Sequence, residues 1–302
     1  MAVSISGSAT ACHSPCRPRP SADGEARQGT SPSTPTTKRH WNCDGRCPTS
    51  FRSDVYCKMV LFYGWIAVMS ILVPPWVALI RGSRVENLKI LCFMMRQVRY
   101  LLGVKIIVHG SENLNTKGPY MVVANHQTIL DVLGIAEVLP DRCLILSKKE
   151  LKYMGPMGII CWLCKFILLD RNNKRSARET MDHITRTLLQ QNLRVWVYPE
   201  GTRNRTATLR PFKRGVFSVA VKAQIPIIPV VTSYYQQPPN LKDGQKPFFC
   251  RDKWIIQILP KIETRGLGPE EVPALADSTQ KLMLDTFNEI NGHIVLEKDT
   301  GE

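Results

Sequence analysis

The chain has 302 residues, 44% of them hydrophobic, and a formal net charge of +15. That length and apolar content exclude a mostly disordered protein and fit one packed core with an appendage. The charge favours phosphate-bearing partners, but no zinc-finger, helix-turn-helix or RNA-binding signature accompanies it, so nucleic acid is set aside.

Residues 1–56 are dense in Ser, Pro, Thr, Gly and Arg and lack aliphatic periodicity, which predicts a disordered tail. Its Ser- and Arg-rich start leaves a transit peptide as the alternative. Met59 to Ile80 then hold no charged residue; as a helix they would be about 30 Å long, enough to cross a bilayer core. Pro74 and Pro75 should kink or end that helix, so a dip into one leaflet is the second reading and a buried core helix the third. Arg81, Arg84, Lys89, Arg96 and Arg99 after it outnumber Arg52 and Lys58 before it, placing the downstream domain on the cytoplasmic face. Residues 85–103 alternate Leu88, Leu91, Met95, Val98 and Leu102 with Lys89, Arg96 and Arg99. This amphipathic helix either lies at the membrane interface or faces a core.

Strand-like runs follow at Lys105 to Val108, Tyr120 to Ala124, Cys143 to Leu146, Phe166 to Leu169, Val195 to Tyr198, Ile227 to Val231 and Trp254 to Leu259, with helical stretches such as Arg175 to Gln191 between them. The expected fold is α/β, a mixed sheet flanked by helices, preceded by a hydrophobic anchoring segment. Its divisions are a tail over 1–56, anchoring helices over 57–104 and a catalytic domain over 105–302. The ten cysteines form no paired framework, which suits a reducing compartment, and the pair Cys161 and Cys164 reads as core rather than as a redox or zinc site.

His126 and Asp131 lie in NHQTILD (residues 125–131), just after an apolar strand, where open α/β sheets place their sites. Five residues along a helix turn two side chains about 140° apart, so His126 belongs to the loop. Thr128 would cap the following helix, with Asp131 at its third position reaching back. Such a pair is the base-plus-orienter half of a triad: the imidazole, kept neutral by nearby helix amides, takes a proton and the carboxylate stabilises the imidazolium. A plain capping box beside a loop histidine is the competing reading. PEGTRN (199–204) again follows a strand; Gly201 lets backbone approach a ligand and Arg203 offers a bidentate fork for phosphate, with Arg210, Lys213 and Arg214 adding charge. Asn204, Arg205 and Thr206 also match a glycosylation sequon, and FILLDR (166–171) and IPIIPV (225–230) are weaker signals.

In this order, NHQTILD, FILLDR, PEGTRN and IPIIPV resemble the four signature blocks of the glycerolipid acyltransferases. The match runs from about Phe62 to Asp277, and RVENLKIL, RVWVYPEGTRN and VPALAD look like the animal 1-acyl-sn-glycerol-3-phosphate acyltransferases of the endoplasmic reticulum. The resemblance implies that His126, oriented by Asp131, deprotonates the sn-2 hydroxyl of lysophosphatidic acid for direct attack on acyl-CoA, a co-substrate, with no permanently bound cofactor or metal. It implies acceptor binding by Arg171, Glu200, Gly201, Thr202 and Arg203, and a Pro229 that shapes the acyl or CoA side. Lys148, Lys149, Lys213 and Arg214 are candidates for the CoA phosphates on charge alone. Thr128 stands where Ser is usual, and Lys165 and Leu168 where Gly and Phe are common. Another acceptor, or non-catalytic binding of acidic lipid, are the alternatives; a hydrolase is disfavoured because no Gly-x-Ser-x-Gly elbow is present.

Overall fold

The structure, a computed structural model, describes residues 49–170, 173–204, 206–234 and 253–300. The tail over residues 1–48 therefore lies outside the described residues, as do Arg171 and Arg205. Helix α1 (Thr49–Arg81) and helix α2 (Asn87–Leu102) come first. They are followed by β1 (Lys105–His109), β2 (Met121–Ala124), α3 (Asp131–Val138), β3 (Cys143–Lys148), α4 (Pro156–Leu163), β4 (Ile167–Leu169), α5 (Lys174–Gln191), β5 (Arg194–Val197), α6 (Arg214–Ala223), β6 (Ile227–Thr232), β7 (Lys253–Ile258) and α7 (Val272–Thr300). All seven expected strands form, each within a residue or two of its apolar run.

The sheet runs β1-β7-β6-β2-β5-β3-β4. The five strands from β6 to β4 are mutually parallel, and β7 joins β6 antiparallel with β1 parallel to β7. β2 is buried at every residue because both faces are covered. Met121 and Val123 point into one core with Val216, Phe217 and Ala220 of α6, while Val122 and Ala124 point into the other with Ile135, Ala136 and Val138 of α3. β2 thus leads through α3 to β3, and its neighbour β5 leads through α6 to β6 in the opposite direction across the sheet. Such a switch point opens a crevice at the carboxyl ends of the two strands.

α1 begins at Thr49, eight residues before the expected boundary at 57, and it does not stop at its prolines. Pro74 and Pro75 lack the N–H groups that would bond to Ser70 and Ile71. Packing carries the helix past this gap: Phe62, Ser70, Pro74 and Val77 are buried, and Trp65, Ile66, Met69 and Val73 are half-buried, one inward stripe at helical spacing. The stretch Cys57–Arg81 is long and apolar enough to cross a membrane, with a mean hydropathy of 1.8 in its most apolar 18-residue window.

α2 takes the core-facing reading: Leu88, Met95, Val98 and Leu102 are buried. Its cations are held by protein, with Arg99 2.6 Å from Glu137, Arg96 Nε donating to the Ala136 carbonyl at 2.6 Å, and Lys89 paired with Asp141. Phe62, Val98 and Leu102 form one cluster with Leu130, Leu133 and Trp254, so α1, α2 and the sheet share a core. Phe62→Ala should cost about 3 kcal/mol, lowering the thermal midpoint in detergent by roughly 6–12 °C; a midpoint unchanged within error would mean that α1 is not packed on the domain.

Candidate active site

His126 leaves the carboxyl end of β2 and Tyr198 and Glu200 leave that of β5, and the parallel register Val123↔Val197 sets the two exits side by side. Three groups of His126 then have partners. Its ring Nδ1 lies 2.5 Å from Asp131 Oδ2, its backbone N–H donates to Glu200 Oε1 at 2.9 Å, and its carbonyl accepts from Asn204 N–H at 2.7 Å. The Tyr198 ring stacks on the imidazole at 4.1 Å between centroids and 18° between planes. The flanking residues are tied to β6: the Asn125 amide both donates to and accepts from the Thr232 backbone, and Gln127 Nε2 donates to the Ser233 carbonyl at 2.9 Å.

Asp131 Oδ2 also accepts from the N–H groups of Gln127 at 2.8 Å and Thr128 at 3.2 Å. The expected reach-back is therefore present, but α3 begins at Asp131, not after a cap at Thr128. The turn before it closes with i to i+3 bonds, Asp131 N–H to Thr128 O among them, while Thr128 Oγ1 accepts from Leu130 N–H. The amides expected beside the imidazole point instead at the carboxylate.

A carboxylate can only accept, so Nδ1 donates to Asp131 and the neutral ring carries its lone pair on Nε2. The His126 side chain is 21% exposed and that of Asp131 7%, which leaves the base reachable and its orienter enclosed. No Ser, Thr or Cys side chain among the described residues bonds this ring. Such a ring can act as a base on a substrate with no protein nucleophile beside it among the described residues.

Glu200, expected at the acceptor, is engaged by backbone N–H groups on both carboxylate oxygens. It is 3% exposed, its Oε2 accepts from Arg210 N–H at 3.0 Å, and its Oε1 is taken by His126. Burial pushes its carboxyl up from the ordinary range, and the N–H bonds from His126 and Arg210 oppose that rise. Its carboxylate fastens the loop of the base to the basic loop.

Gly201 sits at φ +73°, where a Cβ would collide with the Lys213 side chain, and Lys213 N–H donates to the Pro199 carbonyl at 2.9 Å. Thr202, Arg203, Arg210, Lys213 and Arg214 are exposed around this loop, and Arg203 lies close enough to act on the Tyr198 phenol, which burial and Asp131 push well above its usual range. At the same sheet edge Lys149 pairs with Asp170 at 3.2 Å.

Three further features of the sequence find their places. Pro229 lies buried in β6 between β2 and β7, beside the first paired residue of the β6–β7 ladder, in the interior of the sheet. Asn204 is 2% exposed and its Nδ2 donates to the Thr208 carbonyl at 2.6 Å, so the sequon amide is a turn brace. Cys161 and Cys164 are buried and reduced, with the Cys164 thiol pushed up to about 12 by burial. Tyr198 and Asn204 were not marked as parts of the site by sequence; the only signal was their position at the exit of a strand, which means little until β5 is known to adjoin β2.

An acyltransferase family profile matches residues 105–233. The chain is 44% identical over 242 residues to 1-acyl-sn-glycerol-3-phosphate acyltransferase alpha of Mus musculus, covering 80% of this chain and 84% of that one. It is 38% identical to the beta enzyme of Homo sapiens, with 79% and 85% covered. In fold it is similar to the crystal structure of the 1-acyl-sn-glycerophosphate acyltransferase PlsC of Thermotoga maritima, with a TM-score of 0.60 at 20% identity over 79% of this chain and 97% of the other.

Glu200→Gln turns one acceptor oxygen into an N–H donor facing a backbone N–H. Turnover should fall by about tenfold or more while both Michaelis constants stay within about twofold. Steady-state kinetics in each substrate checks this, and an effect carried by the acceptor constant would instead assign Glu200 to substrate contact.

Proposed function

The chain belongs to the 1-acyl-sn-glycerol-3-phosphate acyltransferase family, and from this we propose that it transfers an acyl group from acyl-CoA to the sn-2 hydroxyl of lysophosphatidic acid, giving phosphatidic acid and CoA. The single observation that carries the chemistry is the pairing of His126 Nδ1 with Asp131 at 2.5 Å, which directs the ring's basic nitrogen outward to a substrate. His126 Nε2 takes the hydroxyl proton as the oxygen attacks the thioester carbon. Asp131 holds the imidazolium that results, and the stacked Tyr198 ring presents a π face to the same cation. When the tetrahedral centre collapses, the C–S bond breaks and the imidazolium returns its proton to the departing thiolate. No acyl-enzyme forms.

Arg203 takes the acceptor phosphate, with Thr202 and the open backbone at Gly201 beside it, and Lys213 and Arg214 take the phosphates of CoA. Arg171, next to Asp170 in sequence, is also proposed for the acceptor. Glu200 acts behind them as a positioning residue.

The relatives' lipid substrate and the long apolar helix support a place at a membrane, which we assign to the cytoplasmic face of the endoplasmic reticulum. The inward stripe of α1 runs from Met59 to Ala78, so the domain lies against it for about 30 Å of its length. A helix crossing the bilayer upright would draw the domain in with it. Lying along the surface, α1 instead sinks its outer residues Val60, Val68, Ile71, Leu72 and Leu79 into one leaflet.

Purified protein given oleoyl-CoA should acylate lysophosphatidic acid in preference to glycerol 3-phosphate or other lysophospholipids, and His126→Ala should lower that rate by roughly two to four orders of magnitude. Preference for another acceptor would replace the substrate, and an unaffected variant would remove the base.

A further inference from the structure

α4 has no polar residue on either face. Ile160, Cys161 and Leu163 point into the core, while Ile159 is 51% and Trp162 60% exposed on the outside. The turn before it adds Tyr153 at 73% and Met154 at 60%. A surface helix in water carries polar residues outward, and exposed apolar groups that run together mark a contact. Exposed Lys152 and Lys165 bracket the run. The shape is a built one: Gly155 at φ +49° reverses the chain, and a Cβ on Gly158 would collide with the Lys152 carbonyl.

This ridge is fastened to the membrane helix. The corner between α1 and α2 caps the carboxyl end of α4, with Ser83 Oγ donating to the Trp162 carbonyl at 2.6 Å and both Arg84 N–H and Asn87 Nδ2 donating to that of Leu163 at 3.0 Å. Trp76, Leu79 and Ile80 lie exposed at the adjoining end of α1, and Arg81 and Arg84 at the corner. Apolar side chains ringed by lysine and arginine, with a tryptophan among them, suit the boundary between acyl chains and anionic headgroups.

We propose that the ridge from Tyr153 to Trp162 is a second lipid-binding surface, seated in the same leaflet as the outer face of α1. The proposal rests on the membrane placement given above and extends it to an element between β3 and β4. Those strands end at the same sheet edge as His126, so the ridge holds the site's rim down on the bilayer that contains the acceptor.

Two measurements on the full chain test it. In vesicles of brominated phosphatidylcholine with phosphatidic acid, the part of the tryptophan emission that Trp162→Phe removes should be quenched; if that part is as bright as in unbrominated vesicles, the proposal is overturned. This arm needs no activity, so it stands apart from the acyl-transfer reading. In the second, Ile159→Ser combined with Trp162→Ser should raise the apparent Michaelis constant for long-chain lysophosphatidate in vesicles by about tenfold and leave a short-chain acceptor below its micelle concentration unaffected. An equal loss with both acceptors, or none with either, overturns it.

Discussion

Parallel pairing of β2 with β5 is the constraint on which the site depends. The register Val122↔Trp196 and Val123↔Val197 is fixed by burial on both faces, since a slip of one residue would exchange the two cores' side chains. Two loops therefore leave the sheet at one height, and their buried polar groups bond across to each other. Glu200, at 3% exposure, and Asn204, at 2%, would each leave unsatisfied groups costing about 1–3 kcal/mol apiece if His126 were elsewhere. His126 is thereby located by its backbone, whatever its ring contacts. Asp131 then fixes the tautomer and Tyr198 the plane.

Much of this was legible in the sequence because a sheet buried on both faces writes its strands as short apolar runs. Lys105 to Val108 or Ile227 to Val231 could be little else. His126 and Asp131 were legible for a local reason, as five residues in one loop need no knowledge of topology. The partners of Glu200 were hidden for the opposite reason. These, the N–H groups of His126 and Arg210, lie 74 and 10 residues away, and only the strand order reveals the first. Tyr198 was hidden in the same way, since an aromatic residue ending a strand looks like core until its neighbour is known.

The helices show where periodicity and composition mislead. The cations of α2 looked like a lipid-facing stripe, yet Arg96 and Arg99 spend their charge on the carboxyl end of α3, whose last carbonyls and Glu137 attract them. Pro74 and Pro75 looked like a stop signal, and local chemistry would make them one; tertiary contacts at Val73, Pro74 and Val77 outweigh it.

The inward stripe of α1 also decides how the protein can be handled. A water-soluble form cannot be had by cutting the chain after Leu102, because Leu130, Leu133 and Trp254 would lose the wall that Phe62, Val98 and Leu102 give them, one residue from Asp131. With α1 seated in a leaflet as proposed, solubilisation has to replace lipid on the outer half of the helix without competing for the inner half. A detergent small enough to slip beneath α1 would loosen the orienting carboxylate's helix first, and activity would disappear while the sheet was still folded.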